Sequence, residues 1–234
     1  MEVWENYFSE TVTTESETAL SRGDLRMLPQ IDDYLDVEHQ YSQIMFVYES
    51  GIQQIRAKLE ILKREFQYRN DRNPIENVSS RIKSQKSIID KMHKKGLPLT
   101  FQAMTHNLYD IAGVRVTCPF IQDVYQVTRM LLSQRDIQLV QMKDYIKTPK
   151  ENGYRSLHLV VLVEVPFSSR VESVPVEIQL RTIAMNCWAS AEHQMRYKKD
   201  YALTEEMHQQ LKECADLMAE ADRKMQQLVN ELKL

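Results

Sequence analysis

The sequence predicts an α+β domain: a mixed β-sheet of about five strands, with a long helix before it and another after it. Three observations lead there. Val174 to Thr182 alternates strictly, placing Val174, Val176, Ile178 and Leu180 on one face of a strand and Glu177, Gln179 and Arg181 on the other. Tyr41, Ile44, Tyr48, Ile52, Ile55, Leu59, Leu62 and Phe66 keep helical three-and-four spacing, as do Leu203, Met207, Leu211, Cys214, Met218, Ala221, Met225 and Leu228. The strand-like segments lie between these two stripes and are not interleaved with them. The pattern divides the chain into an acidic N-terminal arm, residues 1–33, and one domain, residues 34–234.

The elements follow in order. The arm carries a turn-like S-R-G-D at Ser21 to Asp24, and then Pro29, and offers no chemistry. The first long helix ends at Asn73-Pro74, because the residue ahead of a proline is pushed out of the helical region. A second helix is predicted from Ile75 to Lys94, closing at Lys95-Gly96. Lys83, Ser87, Lys91 and Lys94 share one side of it, Ile82, Ile88, Ile89 and Met92 the opposite one, and Arg81 sits at the edge. Such a side is either a solvated basic surface or a cationic rail for a polyphosphate.

A short helix follows Pro98, and then a strand through G-V-R-V-T-C that Asp110 precedes or opens. Ile121 to Ser133 reads as a helix, and Ile137 to Ile146 and Tyr154 to Val165 as two strands. Between those strands T-P-K-E-N-G, Thr148 to Gly153, has the composition of a turn over a site. After the alternating strand, Thr182 is placed to cap a helix running from Ile183 to about Tyr197.

Composition narrows the function. With 43% hydrophobic and 27% charged residues the chain is an ordinary globular protein, and no apolar run approaches spanning length, so no membrane is expected. The net charge of −3 confines any polyanion binding to a local patch, and no RNA-binding signature stands out. Cys118, Cys187 and Cys214 are scattered and form no C-x-x-C pair, which argues against structural zinc and for a reducing, cytoplasmic setting. There is no G-x-x-x-x-G-K-[ST], no G-x-G-x-x-G and no kinase motif set. With only 5 Gly in the chain, phosphates would be held by side-chain cations, and Arg81, Lys83, Lys91, Lys94, Arg115, Lys143 and Lys150 are available.

Two carboxylates stand against this basic background, Asp110 and Glu177, each beside an apolar strand. A hard divalent cation such as magnesium bridges carboxylates of this kind to substrate phosphates. Asp110 and Arg115 are an odd number apart, so both serve one site only if Asp110 precedes the strand or Gly113 marks a bulge. Tyr154, Ser156 and His158 fall on one strand face. A tyrosine there either stacks on a base or joins the sheet surface.

D-I-A-G-V-R, E-N-G-Y-R-S-L-H, V-E-I-Q-L-R-T and M-N-C-W-A-S-A-E-H, in this order and spacing, resemble the synthetase domain of the RelA/SpoT family, over residues 73–197. The short chain resembles the synthetase-only small alarmone synthetases, and its arm the RelP branch. The resemblance implies a nucleotidyltransferase-like synthetase fold that moves the β,γ-pyrophosphate of ATP onto the ribose 3'-OH of GDP or GTP, releasing AMP. It implies that Arg81 and Arg115 sandwich adenine and that Lys83, Ser87, Lys91 and Lys94 hold the ATP phosphates. Asp110 and Glu177 would bind magnesium, with Glu177 also taking the 3'-OH proton. Tyr154 would stack on guanine, Asn186 bond its edge, Lys143 and Lys150 meet the acceptor's 5'-phosphates, and His158 and Gln179 support them. Lys143 stands where Arg-rich acceptor positions are usual. The resemblance also implies a homotetramer.

Two other classes compete. A template-independent nucleotidyltransferase would need a D-x-[DE] pair on one strand, which Glu177-x-Gln179 does not supply. A non-catalytic RNA- or partner-binding protein would use the basic stripe alone.

Overall fold

The structure, a computed structural model, describes residues 31–70, 72–197 and 204–232, and within them the side chains of 36–69, 72–195 and 204–232. The N-terminal arm expected at 1–33 therefore lies almost wholly outside the described residues. Helix α1 (Ile31–Asn70) buries Ile44, Tyr48, Ile52, Ile55, Leu59, Leu62 and Phe66, the predicted stripe. The helix lies so close to the sheet that a Cβ on Gly51 would sit 2.6 Å from Val174 Cγ1. Glycine is therefore used there for contact, not for backbone freedom.

The next element corrects the prediction of a helix from Ile75 to Lys94. Residues Asn77–Ile82 form an edge strand, β1, and only Gln85–Lys94 is helical, as α2. N-V-S-S-R-I contains poor helix formers that alternate in exposure, and pairing with β2 (Ala112–Cys118) from Asn77↔Thr117 to Ile82↔Ala112 supplies its backbone partners. Ser84 starts α2 by accepting a hydrogen bond from Ser87 N. Arg81 therefore stands on a strand and Lys83 between the two elements, not on one helical rail.

Helices α3 (Phe101–Asn107) and α4 (Ile121–Leu132), strands β3 (Ile137–Asp144), β4 (Leu157–Pro166) and β5 (Val171–Thr182), and helices α5 (Ile183–Tyr197) and α6 (Glu205–Leu232) complete the domain. β4 starts three residues later than predicted, so Tyr154 and Ser156 lie in the approach to it. The sheet order is β1-β2-β5-β4-β3, with β2 and β5 parallel and the other pairs antiparallel, the mixed five-stranded sheet expected.

Alternation in the three central strands sorts the sheet into two faces. Val114, Val116, Leu159, Val161, Val174, Val176, Ile178 and Leu180 are buried on the face that α1 and α4 cover. Arg115, Glu177, Gln179 and His158 occupy the other. At the end of β5, Thr182 Oγ1 accepts from Met185 N and caps α5, as predicted, while donating to the buried Asp222 of α6 at 2.5 Å.

Candidate active site

Strand register builds the site on the polar face. Ser79, Arg115, Gln179, His158 and Lys143 lie side by side across β1, β2, β5, β4 and β3, and Arg81, Gly113 and Glu177 form the next row. Gly113 leaves the middle of that second row without a side chain. The result is a cleft lined by Arg81, Lys83, Asp110, Arg115, Glu177 and Gln179. A second cleft, lined by Tyr154, Arg181 and residues of α5, shares Arg81, Arg115 and Gln179 with it. The two make one trough divided by the arginines.

Asp110 reaches the cleft because it precedes β2, and no bulge is needed. Its Oδ2 is 2.7 Å from Lys83 Nζ and 2.6 Å from Lys91 Nζ. Burial pushes this carboxyl up, but hydrogen bonds from both lysines and their charges outweigh that and hold it below the usual aspartate value. Its Oδ1 is buried with no hydrogen-bond partner.

Glu177 is held on the central strand. Gln179 Nε2 donates to its Oε2 at 3.0 Å, and His158 Nδ1 lies 3.4 Å from its Oε1. Burial again raises this carboxyl, bonds from His158 and Gln179 more than offset it, and the Asp110 charge pushes the other way. The net direction is down, so Glu177 is a carboxylate at neutral pH. Arg115 feels the opposite field: burial, then the charges of Arg181 and Arg81, lower its guanidinium from its ordinary value. Cations are crowded here beyond what the local carboxylates balance, which suits a polyanionic ligand.

The far end of the trough is built by the loop before β4. Gly153 adopts φ 85°, where a Cβ would meet Ala215 Cβ of α6 at 2.5 Å. This turn lays Lys150 Nζ 4.8 Å from the Tyr145 ring centre and 4.9 Å from that of Tyr154. Tyr154 OH meets His158 Nε2 at 2.8 Å and accepts from Arg181 Nη2 at 2.7 Å. Arg181 also reaches Asn186 Oδ1 at 3.5 Å.

The predicted site residues are thus brought to one face, with two set apart. Ser87 and Lys94 share an exposed side of α2 with Lys91, and Ser87 bonds Ser84 rather than facing the cleft. Sequence reasoning placed Arg181 on the polar face but gave it no role, and it did not single out Tyr145. Only the folded contacts with Tyr154, 27 residues upstream, reveal the first. Among the described residues no group of three or more His, Cys, Asp or Glu side chains is disposed to hold a metal by itself, and no helix is long and apolar enough to cross a membrane.

Comparison with known proteins agrees with this geometry. Residues 80–202 match the family described as the region found in RelA / SpoT proteins. The chain is 41% identical over 195 residues to GTP pyrophosphokinase YwaC of Bacillus subtilis (strain 168), spanning 83% of this chain and 93% of that protein. It is 34% identical over 196 residues to GTP pyrophosphokinase YjbM of the same organism, spanning 84% and 92%. Among solved structures it aligns with the small alarmone synthetase 1 from Bacillus subtilis bound to its product pppGpp, with TM-score 0.75, 34% identity, and coverage of 84% and 100%. It aligns likewise with small alarmone synthetase 2 from Bacillus subtilis, with TM-score 0.72, 41% identity, and coverage of 80% and 97%. A match of this identity over nearly the whole length of its relatives carries more than a shared fold: the chain belongs to the RelA/SpoT family.

Proposed function

We propose that this protein is a (p)ppGpp synthetase, which transfers the β,γ-pyrophosphate of ATP to the ribose 3'-OH of GDP or GTP. The observation that carries it is the pair of carboxylates in one trough, Asp110 engaged by two lysines and Glu177 held on the central strand, in a chain of this family.

The donor side is Arg81, Arg115, Lys83 and Lys91, with Ser87 and Lys94 further out on α2. The two arginines flank the cleft floor and offer planar faces for adenine, while the lysines give up Asp110 for the incoming phosphates. The acceptor side is Tyr154 for guanine, Asn186 for its edge, and Lys143 and Lys150 for the 5'-phosphates. The 3'-oxygen attacks the β-phosphorus, forming the O3'–Pβ bond as the bond from Pβ to its bridging oxygen breaks. AMP leaves with that oxygen, and the 3'-OH proton passes to Glu177. Catalysis here is mostly positioning and charge neutralisation.

Asp110 and Glu177 suit a magnesium ion: both offer hard oxygens, and the unpartnered, buried Oδ1 of Asp110 is an acceptor waiting for a cation. With no third acidic or histidine ligand in place among the described residues, nucleotide phosphates and water would complete its shell. When bound, the ion supplies charge neutralisation at the transferring phosphates.

The reaction draws on cytoplasmic nucleotides, so we place the enzyme there. We also propose a homotetramer. Leu217 and Leu228 of α6 are 67% and 57% exposed and share a helix face, whereas Met218 packs on Trp188, Ala189 and Ala215 within the chain. Charges at Leu217 and Leu228 should therefore dissociate the assembly in sedimentation without unfolding it, and a wild type that sediments as a monomer contradicts the tetramer. The activity itself is tested by incubating β,γ-labelled ATP with GDP or GTP and magnesium. AMP and a 3'-pyrophosphorylated guanosine are expected, and release of inorganic pyrophosphate instead would support nucleotidyl transfer.

A further inference from the structure

We propose that Arg181 is a positioning residue that sets the direction of every hydrogen bond between the guanine-stacking Tyr154 and the base Glu177, an inference that rests on the pyrophosphoryl-transfer reading above. Five side chains form a closed ring. Arg181 Nη2 is 2.7 Å from Tyr154 OH and 2.9 Å from Gln179 Oε1. On one arm Gln179 Nε2 is 3.0 Å from Glu177 Oε2. On the other Tyr154 OH is 2.8 Å from His158 Nε2, and His158 Nδ1 is 3.4 Å from Glu177 Oε1.

A guanidinium can only donate. The Tyr154 oxygen therefore accepts from Arg181, and with the acceptor-only Glu177 carboxylate facing His158 Nδ1 at the far end of the arm, its own proton is directed to His158 Nε2. An imidazole that accepts at Nε2 carries its proton on Nδ1, which faces Glu177. On the other arm Gln179 must turn its oxygen toward Arg181 and its NH₂ toward Glu177. Both arms thus end as donors on the same carboxylate, fixed between a donor-only group at one end of the ring and an acceptor-only group at the other. A side chain at 181 that could also accept would remove the constraint at the Arg181 end of both arms at once.

Arg181 is also placed to link base recognition to the chemistry. It is only 5% exposed, its guanidinium carbon lies 5.2 Å from the Tyr154 ring centre, and its Nη1 reaches Asn186. A guanine that stacks on Tyr154 and bonds Asn186 leans on the same guanidinium that aligns Glu177. Networks of this kind fix the orientation of the group that reacts, much as outer-shell partners fix metal ligands.

The test has a spectroscopic arm and a kinetic one. Long-range proton–nitrogen spectra of the substrate-free protein at about pH 9, where an imidazole is ordinarily neutral, should show His158 as the Nδ1–H tautomer. Arg181→Gln should give a mixture, and Arg181→Lys, which still only donates, should restore the single form. Tyr154→Phe keeps the stacking ring and cuts the hydrogen-bonded one. It should lower kcat about tenfold while GDP KM moves less than about threefold. A wild-type Nε2–H tautomer would overturn the proposal, as would a Tyr154→Phe enzyme with raised KM and unchanged kcat. The spectrum needs no turnover, so a wild type that releases no AMP would count against the functional reading alone, with the ring judged by its tautomer.

Discussion

The two halves of the trough, donor and acceptor in the reading proposed above, are built by different physics. The donor half is drawn from residues 79–115, close in sequence, and works by charge: two lysines on one aspartate and two arginines at the divide. Its partners are partly buried ammonium groups, Lys83 and Lys91, whose charges a phosphate would take over from Asp110. The acceptor half comes from four separated segments: Lys143 of β3, the loop before β4, β5 with α5, and α6 behind them. It is held by directional contacts before any ligand arrives. Trp188 Nε1 donates to Leu211 O at 2.7 Å, and Arg155 reaches Ala215 O and Asp216, which together tie loop and α5 to α6. On the proposed reading one half would be an electrostatic receiver organised by a polyphosphate, and the other a preformed pocket.

Glu177 lies at the seam, so its loss should affect neither half's grip but stop the reaction. Glu177→Gln is expected to cut turnover about 100-fold or more while binding of both nucleotides is largely kept, measured by single-turnover kinetics beside calorimetry. A near-normal rate would remove Glu177 from the mechanism.

Gly153→Ala tests how far the acceptor half depends on its turn. The substituted residue must hold φ 85° with its Cβ against Ala215, so the loop bearing Lys150 and Tyr154 has to move. GDP KM should rise severalfold with ATP KM unchanged. Equal changes in both would mean that the halves are not separable.

A smaller effect sharpens the role of α6. Burial pushes the Asp222 carboxyl up, only partly offset by the Thr182 hydrogen bond and the Arg155 charge. A carboxyl raised in the folded state contributes stability that is full below its unfolded value, about 4, and is lost as pH rises through the folded one. Asp222→Asn keeps an acceptor for Thr182 without the charge. Its thermal stability at neutral pH should equal or exceed wild type by about 1 kcal/mol, and the loss of stability on raising pH from about 4 should flatten. A wild-type pH profile retained by the variant would show that Asp222 is not the group responsible.

The contrast between the halves also explains what the sequence could reveal. Strict alternation at 174–182 specified both faces of β5, because a one-residue slip would bury Glu177 and expose Ile178. The three-and-four spacing of α1 was equally plain. β1 was misread because Ile82 happens to continue the apolar spacing of α2, and only pairing with β2, some 35 residues away, makes N-V-S-S-R-I a strand. The cations of the donor half were legible as residue types, since charge binds without exact geometry. Arg181 was not, because its role lies in the contacts of one guanidinium with a loop tyrosine, and no periodicity encodes that.

The most direct measurement of the division is a crossed calorimetric titration. A non-hydrolysable ATP analogue and GDP are each titrated into Lys91→Ala and Tyr154→Ala. Removing the lysine should weaken the ATP analogue about tenfold and leave GDP within about twofold, and removing the tyrosine should do the reverse. If either substitution weakened both ligands equally, the trough would not be divided into a charge-held donor half and a preformed acceptor half.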